Sequence, residues 1–236
     1  MTITLYELAA ADPQIRFSPY CWRTRFALAH KGLTPATLPW RFTETERLAF
    51  SGQGRVPVLC DGETVVFDSW EIALYLERSY PDRPSLFGGA GGIAHALFVN
   101  AWADTTLHPG ISGLIVADIF QALRPEDQPY FRASREKLFR RTLEEHVAGR
   151  ETRVVEWRRT LAPIRTVLHR QPWLGGAAPD YADYIVLGSL QWPRCISRFA
   201  MLEDTDPVRD WRDRGFALFD GLGAAAPTVS PRFIDG

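Results

Sequence analysis

Apolar and polar side chains alternate from Ile3 to Leu8 behind a β-branched start, the pattern of a half-buried strand. The period then changes. Trp22, Phe26, Ala29 and Leu33 recur at spacings of three or four after Ser18-Pro19, an N-cap hydroxyl followed by proline at the first helical position, and Gly32 closes the helix they predict. A short extended piece from Thr34 to Trp40 leads into a charged helical stretch over Thr43 to Phe50, which Ser51-Gly-Gln-Gly54 ends. Val56 to Cys60 and Thr64 to Phe67 flank Asp61-Gly62, a strong hairpin signal, so two antiparallel strands are expected. Asp68-Ser-Trp-Glu71 opens a further helix with Ile72, Tyr75, Leu76 and Tyr80 on one face. The expected order through Tyr80 is β-α-β-α-β-β-α.

Pro81-Asp-Arg-Pro84 and Gly88-Gly-Ala-Gly-Gly92 form the richest proline and glycine cluster, and composition changes across them. Beyond it the pattern is helical: from Ile93 to Phe120, Pro129 to His146, Arg153 to His169, Asp180 to Phe199 and Pro207 to Leu222. The expected organisation is an α/β domain over residues 1–82 and an all-α helical bundle over residues 91–236.

Composition changes this picture mainly by exclusion. With 46% hydrophobic and 23% charged residues, a 236-residue chain buries a core without staples. The 27 basic residues answer 28 acidic ones, so no global field would draw nucleic acid. Cys21, Cys60 and Cys195 are far apart, without the companions of a zinc site, and suggest a reducing cytoplasm; no metal is expected. Met1 to Leu8 has no basic region before an apolar stretch, and no apolar run approaches the roughly 18 residues of a membrane helix. Neither secretion nor membrane insertion is expected.

No G-x-S-x-G, G-x-x-x-x-G-K, H-E-x-x-H or G-x-G-x-x-G occurs, so the hydrolase, P-loop and Rossmann classes lose their usual signatures. The informative segment is Ser18-Pro-Tyr-Cys21, at the turn from the first strand into the first helix, where free N–H groups and the helix dipole favour an anion. It resembles the C-P-Y-C of glutaredoxins with serine in place of the nucleophilic cysteine. Ser18 would also serve as a plain helix cap, and Cys21 suits a packed position better than a redox one. In Arg55-Val-Pro-Val58, a cis bond at Val56-Pro57 would turn the Val56 backbone toward an extended peptide, which would pair with it as an added strand. Asp68 with Glu71 reads as a capping box that leaves the Ser69 N–H and hydroxyl free to hold a carboxylate.

Together these segments resemble the glutathione transferase superfamily over nearly the whole chain. Within it the chain is most similar to the bacterial group that includes the lignin β-aryl-ether-cleaving enzymes. That narrower likeness rests on Ser18-Pro-Tyr-Cys-Trp-Arg23, Arg55-Val-Pro-Val58, Asp68-Ser-Trp70, Tyr80-Pro-Asp-Arg-Pro84, Ser134-Arg-Glu-Lys137, Ala148-Gly-Arg-Glu151, Trp173-Leu-Gly-Gly176 and Asp206-Pro-Val-Arg-Asp-Trp211 through Gly223. The resemblance implies a thioredoxin-like first domain, a helical second domain and glutathione as co-substrate. Ser18 then corresponds to the catalytic hydroxyl, Arg55, Val56 and Pro57 to the segment pairing with the cysteinyl part, and Asp68 and Ser69 to the γ-glutamyl grip. Asp180-x-x-Asp183 takes the place of the capping box at a buried helix. Aspartate stands at Asp180 where many relatives have Ser or Thr.

The resemblance further implies a cytoplasmic, detoxification-type transferase, in which a serine-assisted glutathione thiolate attacks a small aromatic electrophile, β-aryl ethers among them. Tyr20, Phe98, Trp102 and His108 are candidates for the substrate pocket, and a homodimer is expected. Two other readings remain: a non-catalytic binding or scaffold protein of the same fold, and a glutaredoxin-like reductase using Cys21.

Overall fold

The computed structural model describes residues 3–229; the outer limits of the two expected domains, residues 1 and 236, lie outside them. Four strands form one sheet in the order β2-β1-β3-β4. β1 (Ile3–Leu8) pairs in parallel with β2 (Ala36–Trp40), Thr4 opposite Ala36, and a parallel neighbour requires a crossover, here α1 (Pro19–His30). β3 (Val58–Asp61) runs antiparallel to β1, and the Asp61-Gly62 turn returns β4 (Thr64–Phe67) alongside it. Gly62 sits at φ +59°, the left-handed geometry that the hairpin signal called for. α2 (Ser69–Ser79) then packs against α1.

The register decides what meets at one end of the sheet. Val58 begins β3 opposite Tyr6, and Phe67 ends β4 opposite Val58, so the segments before β3 and after β4 both lie at the C-terminal end of β1. The chain between β1 and α1 doubles back to the same end. Ala9 bridges Arg16, and the Phe17 amide donates to the Leu8 carbonyl at 3.3 Å. Ser18, Arg55-Val-Pro57 and Asp68-Ser69 are thereby delivered to one edge.

The second half is helical. α3 (Ala90–Trp102) passes through a wide π turn, Ala103–Leu107, into α4 (His108–Ala122). α5 (Gln128–Phe139), α6 (Leu143–Val147), α7 (Arg150–Arg159), α8 (Ala162–Leu168), α9 (Tyr181–Ile196) and α10 (Pro207–Gly221) follow. Several expected elements are shorter than the periodicity suggested. The stretch from Thr43 to Phe50 forms a 3-10 helix, Thr45–Ser51. The run from Pro129 to His146 breaks where Arg140 takes a left-handed φ of 56° and a Thr142–Glu145 capping box restarts the chain as α6. The run from Arg153 to His169 divides at Thr160-Leu161, with Pro163 in the first turn of α8.

α9 is the core of this half, buried continuously from Tyr181 to Gln191. The expected capping box at its start is complete: Asp180 accepts from the Ala182 amide at 2.8 Å, and Asp183 accepts from the Asp180 amide at 3.2 Å. Asp183 also accepts from the Leu174 and Gly175 amides, both at 2.8 Å, and from Trp211 Nε1 at 3.0 Å. α1 packs along α9 so closely that a Cβ on Gly188 would stand 2.6 Å from the Pro19 carbonyl oxygen. A glycine that weakens an isolated helix is here the condition for seating the start of α1. The connector between the halves is pinned as well, Leu86 and Phe87 being buried and the Tyr181 amide donating to the Leu86 carbonyl at 2.8 Å.

Candidate active site

Ser18 is the N-cap of α1, in extended conformation and only 4% exposed. Of the amides in the first turn, Pro19 has none, Cys21 donates to the Ser18 hydroxyl at 3.3 Å and Trp22 to the Ser18 carbonyl at 3.1 Å. The Ser18 hydroxyl uses a lone pair in this cap and finds no acceptor for its own proton among the described residues. It can still donate, at the positive end of a helix. Cys21 is fully buried, and burial pushes its thiol up to about 12. That leaves a packed, neutral thiol, as the sequence reading preferred.

At α2 the same accounting identifies a second set of donors. Asp68 caps the helix through one oxygen, Oδ1, which accepts from the Trp70 amide at 2.8 Å and the Glu71 amide at 3.3 Å, while the Ile72 amide donates to the Asp68 carbonyl. The Ser69 amide and hydroxyl are the first-turn donors left over among the described residues, and Asp68 Oδ2 keeps its lone pairs. The expected capping box is only half made, since the Glu71 side chain does not bond back to Asp68. Asp68 has φ 70° and ψ 132°, which turns its own N–H away from the first turn that a returning carboxylate would occupy. A non-glycine residue held there carries strain of roughly 1–3 kcal/mol, a feature that clusters at functional sites. Beneath it, Tyr181 donates its hydroxyl proton to the Ser69 carbonyl at 2.6 Å. On the neighbouring segment the Val56-Pro57 peptide is cis, Val56 is half-buried, and Arg55 is exposed with its amide held by Gln53 Oε1 at 2.8 Å.

The residues expected to line a substrate pocket divide. Tyr20, half-buried, stacks edge-on with His108, and their polar atoms lie 3.2 Å apart. Trp102 is half-buried against the core. Phe98 is 73% exposed, and no aromatic contact among the described residues joins it to Tyr20, Trp102 or His108. Helical spacing from Trp102 suggested a shared face, but α3 turns Phe98 outward.

What the spacing did not reveal is a buried polar junction around Arg23. Its guanidinium, 1% exposed, donates to Asn100 Oδ1 at 2.7 Å and to Asp104 Oδ1 at 2.9 Å, and lies over the Tyr20 ring. In an unbroken α-helix, residues four apart drift by about 40° per step, so Asn100 and His108 would stand about 80° apart. The π turn between them opposes that drift and keeps Asn100, Asp104 and His108 around one guanidinium. Ser189 donates to the Ile185 carbonyl at 2.8 Å, so its oxygen accepts from His108 Nε2 at 2.9 Å and leaves Nδ1 to accept from the Tyr20 hydroxyl.

Burial, reinforced by the Arg23 charge, pushes the His108 ring down to about 3. The folded protein therefore holds it neutral, whereas an unfolded histidine takes a proton below about pH 6.5. Stability that is complete above pH 6.5 is lost as pH falls toward 3, because the unfolded state then binds the extra proton. We expect about 1.6 kcal/mol of this loss between pH 6.5 and 5. Denaturant titrations of wild type and His108→Gln at both values check it: equal slopes in the two proteins would assign the pH dependence elsewhere.

A four-stranded β-α-β-α-β-β-α unit with a capped serine at its first strand-to-helix turn, followed by a helical bundle, defines a thioredoxin-like protein with a helical partner domain. The chain belongs to the glutathione S-transferase family. Residues 94–214 match the family described as Glutathione S-transferase, C-terminal domain, and residues 17–79 the one described as Glutathione S-transferase, N-terminal domain. Among curated proteins, a zeta-class glutathione S-transferase of Euphorbia esula is 40% identical over 70 residues, covering 28% of this chain and 31% of that protein. Glutathione S-transferase F10 of Arabidopsis thaliana is 33% identical over 101 residues, covering 40% and 46%. The matches thus span less than half the length of these relatives. Of solved structures, glutathione transferase GSTFuA3 of Phanerochaete chrysosporium superposes with a TM-score of 0.78 at 28% identity, over 98% of this chain and 99% of that one. A Ceriporiopsis subvermispora glutathione S-transferase solved with glutathione shares the fold, with a TM-score of 0.79 at 21% identity over 97% and 100%.

Proposed function

We propose that the protein is a glutathione-dependent transferase in which Ser18 and the N-terminus of α1 favour the thiolate of bound glutathione, and that thiolate attacks an aromatic electrophile. The observation that carries this reading is the gathering of unspent donors at one end of the sheet: the Ser18 hydroxyl, and the Ser69 amide and hydroxyl. Bound glutathione supplies the thiol. Ser18 donates a hydrogen bond to its sulfur, Ser69 holds the γ-glutamyl carboxylate, Asp68 Oδ2 accepts from the γ-glutamyl amine, and the Val56 main chain pairs with the cysteinyl residue beside Arg55 and Pro57. A free thiol of pKa about 8.5 is only a few per cent ionised at neutral pH. Lowering it by two units takes about 2.7 kcal/mol, the scale of one charge-assisted hydrogen bond together with a helix terminus.

For the electrophile, β-aryl ethers come first and activated aryl halides second. The sulfur–carbon bond forms as the leaving group departs with its electron pair, as phenolate or halide. The motif segments around Ser18, Asp68, Trp173 and Asp206 support this choice, as do Tyr20, two residues after Ser18 in α1, and Trp102, half-buried at the end of α3. The fully buried, neutral Cys21 speaks against the glutaredoxin-like reading. Free cysteines at three separate places accord with a reducing, cytoplasmic setting. No helix among the described residues is long and apolar enough to cross a membrane.

Calorimetric titration with glutathione tests the grip. Asp68→Ala and Ser69→Ala are each expected to weaken binding by about 1.5–3 kcal/mol, the loss of a hydrogen bond to a charged group. Affinity within twofold of wild type in both would remove the assignment. The chain is further expected to form a homodimer, as Phe50, Phe67, Leu97 and Phe98 stand exposed on the sheet side and on α3. Sedimentation at micromolar concentration should then give twice the 26.7 kDa chain mass, and a species of 26.7 kDa would count against it.

A further inference from the structure

His30 ends α1 at the seam between the two halves of the chain and meets three other segments there. Its Nε2 lies 3.0 Å from the Ser85 carbonyl of the connector, and its Nδ1 lies 2.6 Å from the Tyr184 hydroxyl on α9. A carbonyl can only accept, so Nε2 carries the ring proton and Nδ1 accepts from Tyr184. Tyr184 is fully buried, and among the described residues its hydroxyl has no acceptor besides His30. The third segment is the end of α10. Leu218, Phe219 and Asp220 depart from helical geometry there, Phe219 at φ 55° and Asp220 at φ 58°. Residues other than glycine hold such angles only where their surroundings require it. The Phe219 ring meets His30 and Tyr184 edge-on, with centroids 6.4 and 6.0 Å away.

The charged groups around this ring are already matched. Lys31, 1% exposed, pairs with Glu77 of α2 at 2.7 Å and donates to the Tyr80 carbonyl at 3.3 Å. Glu77 also accepts from the Ser85 hydroxyl and from the Leu86 amide, which fastens the connector to α2. α9 adds Asp180 and Asp183, both spent in its N-terminal cap, the connector adds Arg83 beside Gly32, and α10 adds Asp220, which is exposed. A proton on His30 would bring a second positive charge next to the balanced Lys31–Glu77 pair.

We propose that His30 is a proton-sensitive latch between the two halves. Neutral, it joins α1 and the connector to α9 and gives Phe219 its seat. A proton on Nδ1 turns that atom from acceptor into donor, so the buried Tyr184 O–H loses its acceptor. His30, half-buried and within reach of solvent, then leaves Tyr184 for water, and residues 218–220 are released to regular helical geometry.

The sign follows from burial. Burial holds the His30 ring below the ordinary histidine value, against the upward pull of the Ser85 carbonyl and with help from the Lys31 charge. A released ring titrates at about 6.5, so opening is favoured as pH falls below that value, about tenfold per unit until the closed form also protonates.

Two measurements on the full chain test this. Nitrogen NMR, with His30 assigned by its loss in His30→Gln, should show the proton on Nε2 at pH 7.5 and a ring that titrates below about 6.5. Amide exchange of peptides spanning residues 83–90 and 214–226, with intrinsic rates divided out, should be at least about fivefold faster at pH 5 than at pH 7.5. The rise should persist in His108→Gln and shrink below twofold in His30→Gln, whose amide donates and accepts without titrating. Tyr184→Phe, which removes the partner, should exchange at least about threefold faster than wild type already at pH 7.5. A His30 ring titrating at or above 6.5, a wild-type rise short of fivefold, or a rise that survives in His30→Gln overturns the proposal. Should His30→Gln fail to fold, the wild-type titration and Tyr184→Phe decide.

Discussion

Asp183→Ala is expected to cost the fold roughly 3–5 kcal/mol, the range for stripping a buried acceptor from several donors at once. Its carboxylate, wholly out of solvent, receives the amides of Leu174, Gly175 and Asp180 and the indole N–H of Trp211. Burial pushes the carboxyl up to about 6, against the downward pull of those backbone amides, so at neutral pH it is still mostly ionised. Alanine would leave four donors without this partner, the Leu174 amide and the Trp211 indole among them buried, and unhook the 173–176 turn from α10 as well as from α9. Urea unfolding followed by circular dichroism measures the loss. Asp183→Asn, which keeps one acceptor oxygen, should lose distinctly less. If alanine cost under about 1 kcal/mol, the interactions would be worth no more than ordinary surface contacts.

Ser18→Ala is expected to lower kcat/KM roughly ten- to hundredfold, about 1.4–2.7 kcal/mol of transition-state stabilisation, while KM for glutathione stays within about twofold. The hydroxyl contributes most where sulfur carries most charge, so its removal should appear in turnover rather than in binding. The thiol of bound glutathione should titrate one to two units higher in the variant. Cys21→Ser should remain active, since that thiol is buried and pushed up to about 12. The opposite pair of results, an active Ser18→Ala and an inactive Cys21→Ser, would return the chemistry to a thiol reductase.

Much of this was legible because it is local. The Asp61-Gly62 turn, the Ser18-Pro19 cap and the Asp180–Asp183 box each depend on a few adjacent residues, and each is present. The Asp68–Glu71 box failed on backbone geometry: the residue types were right, but a positive φ at Asp68 redirected one N–H. Arg140 escaped notice because the apolar face continues across the break. The Arg23 junction was invisible for a different reason. Asn100, Asp104, His108 and Ser189 come from positions 77 to 166 residues away from Arg23, and nothing in a local pattern marks them as partners. Phe98 shows the converse limit, since helical spacing from Trp102 does not say which side of α3 meets the core.

The turn at Ala103–Leu107 makes residue count, rather than residue type, a determinant of the contact between α1 and α3. A π turn holds one residue more than the α turn it replaces, so it behaves as a single insertion absorbed without restarting the helix. The flanking helices need not move if that extra residue is lost. A one-residue deletion there would give a more regular helix with its apolar faces intact, yet withdraw the Asp104 carboxylate from Arg23 and loosen the guanidinium that lies over Tyr20. Sequence change by insertion and deletion, which usually spares helices and accumulates in loops, has here a route to retune the Arg23 junction from inside a helix.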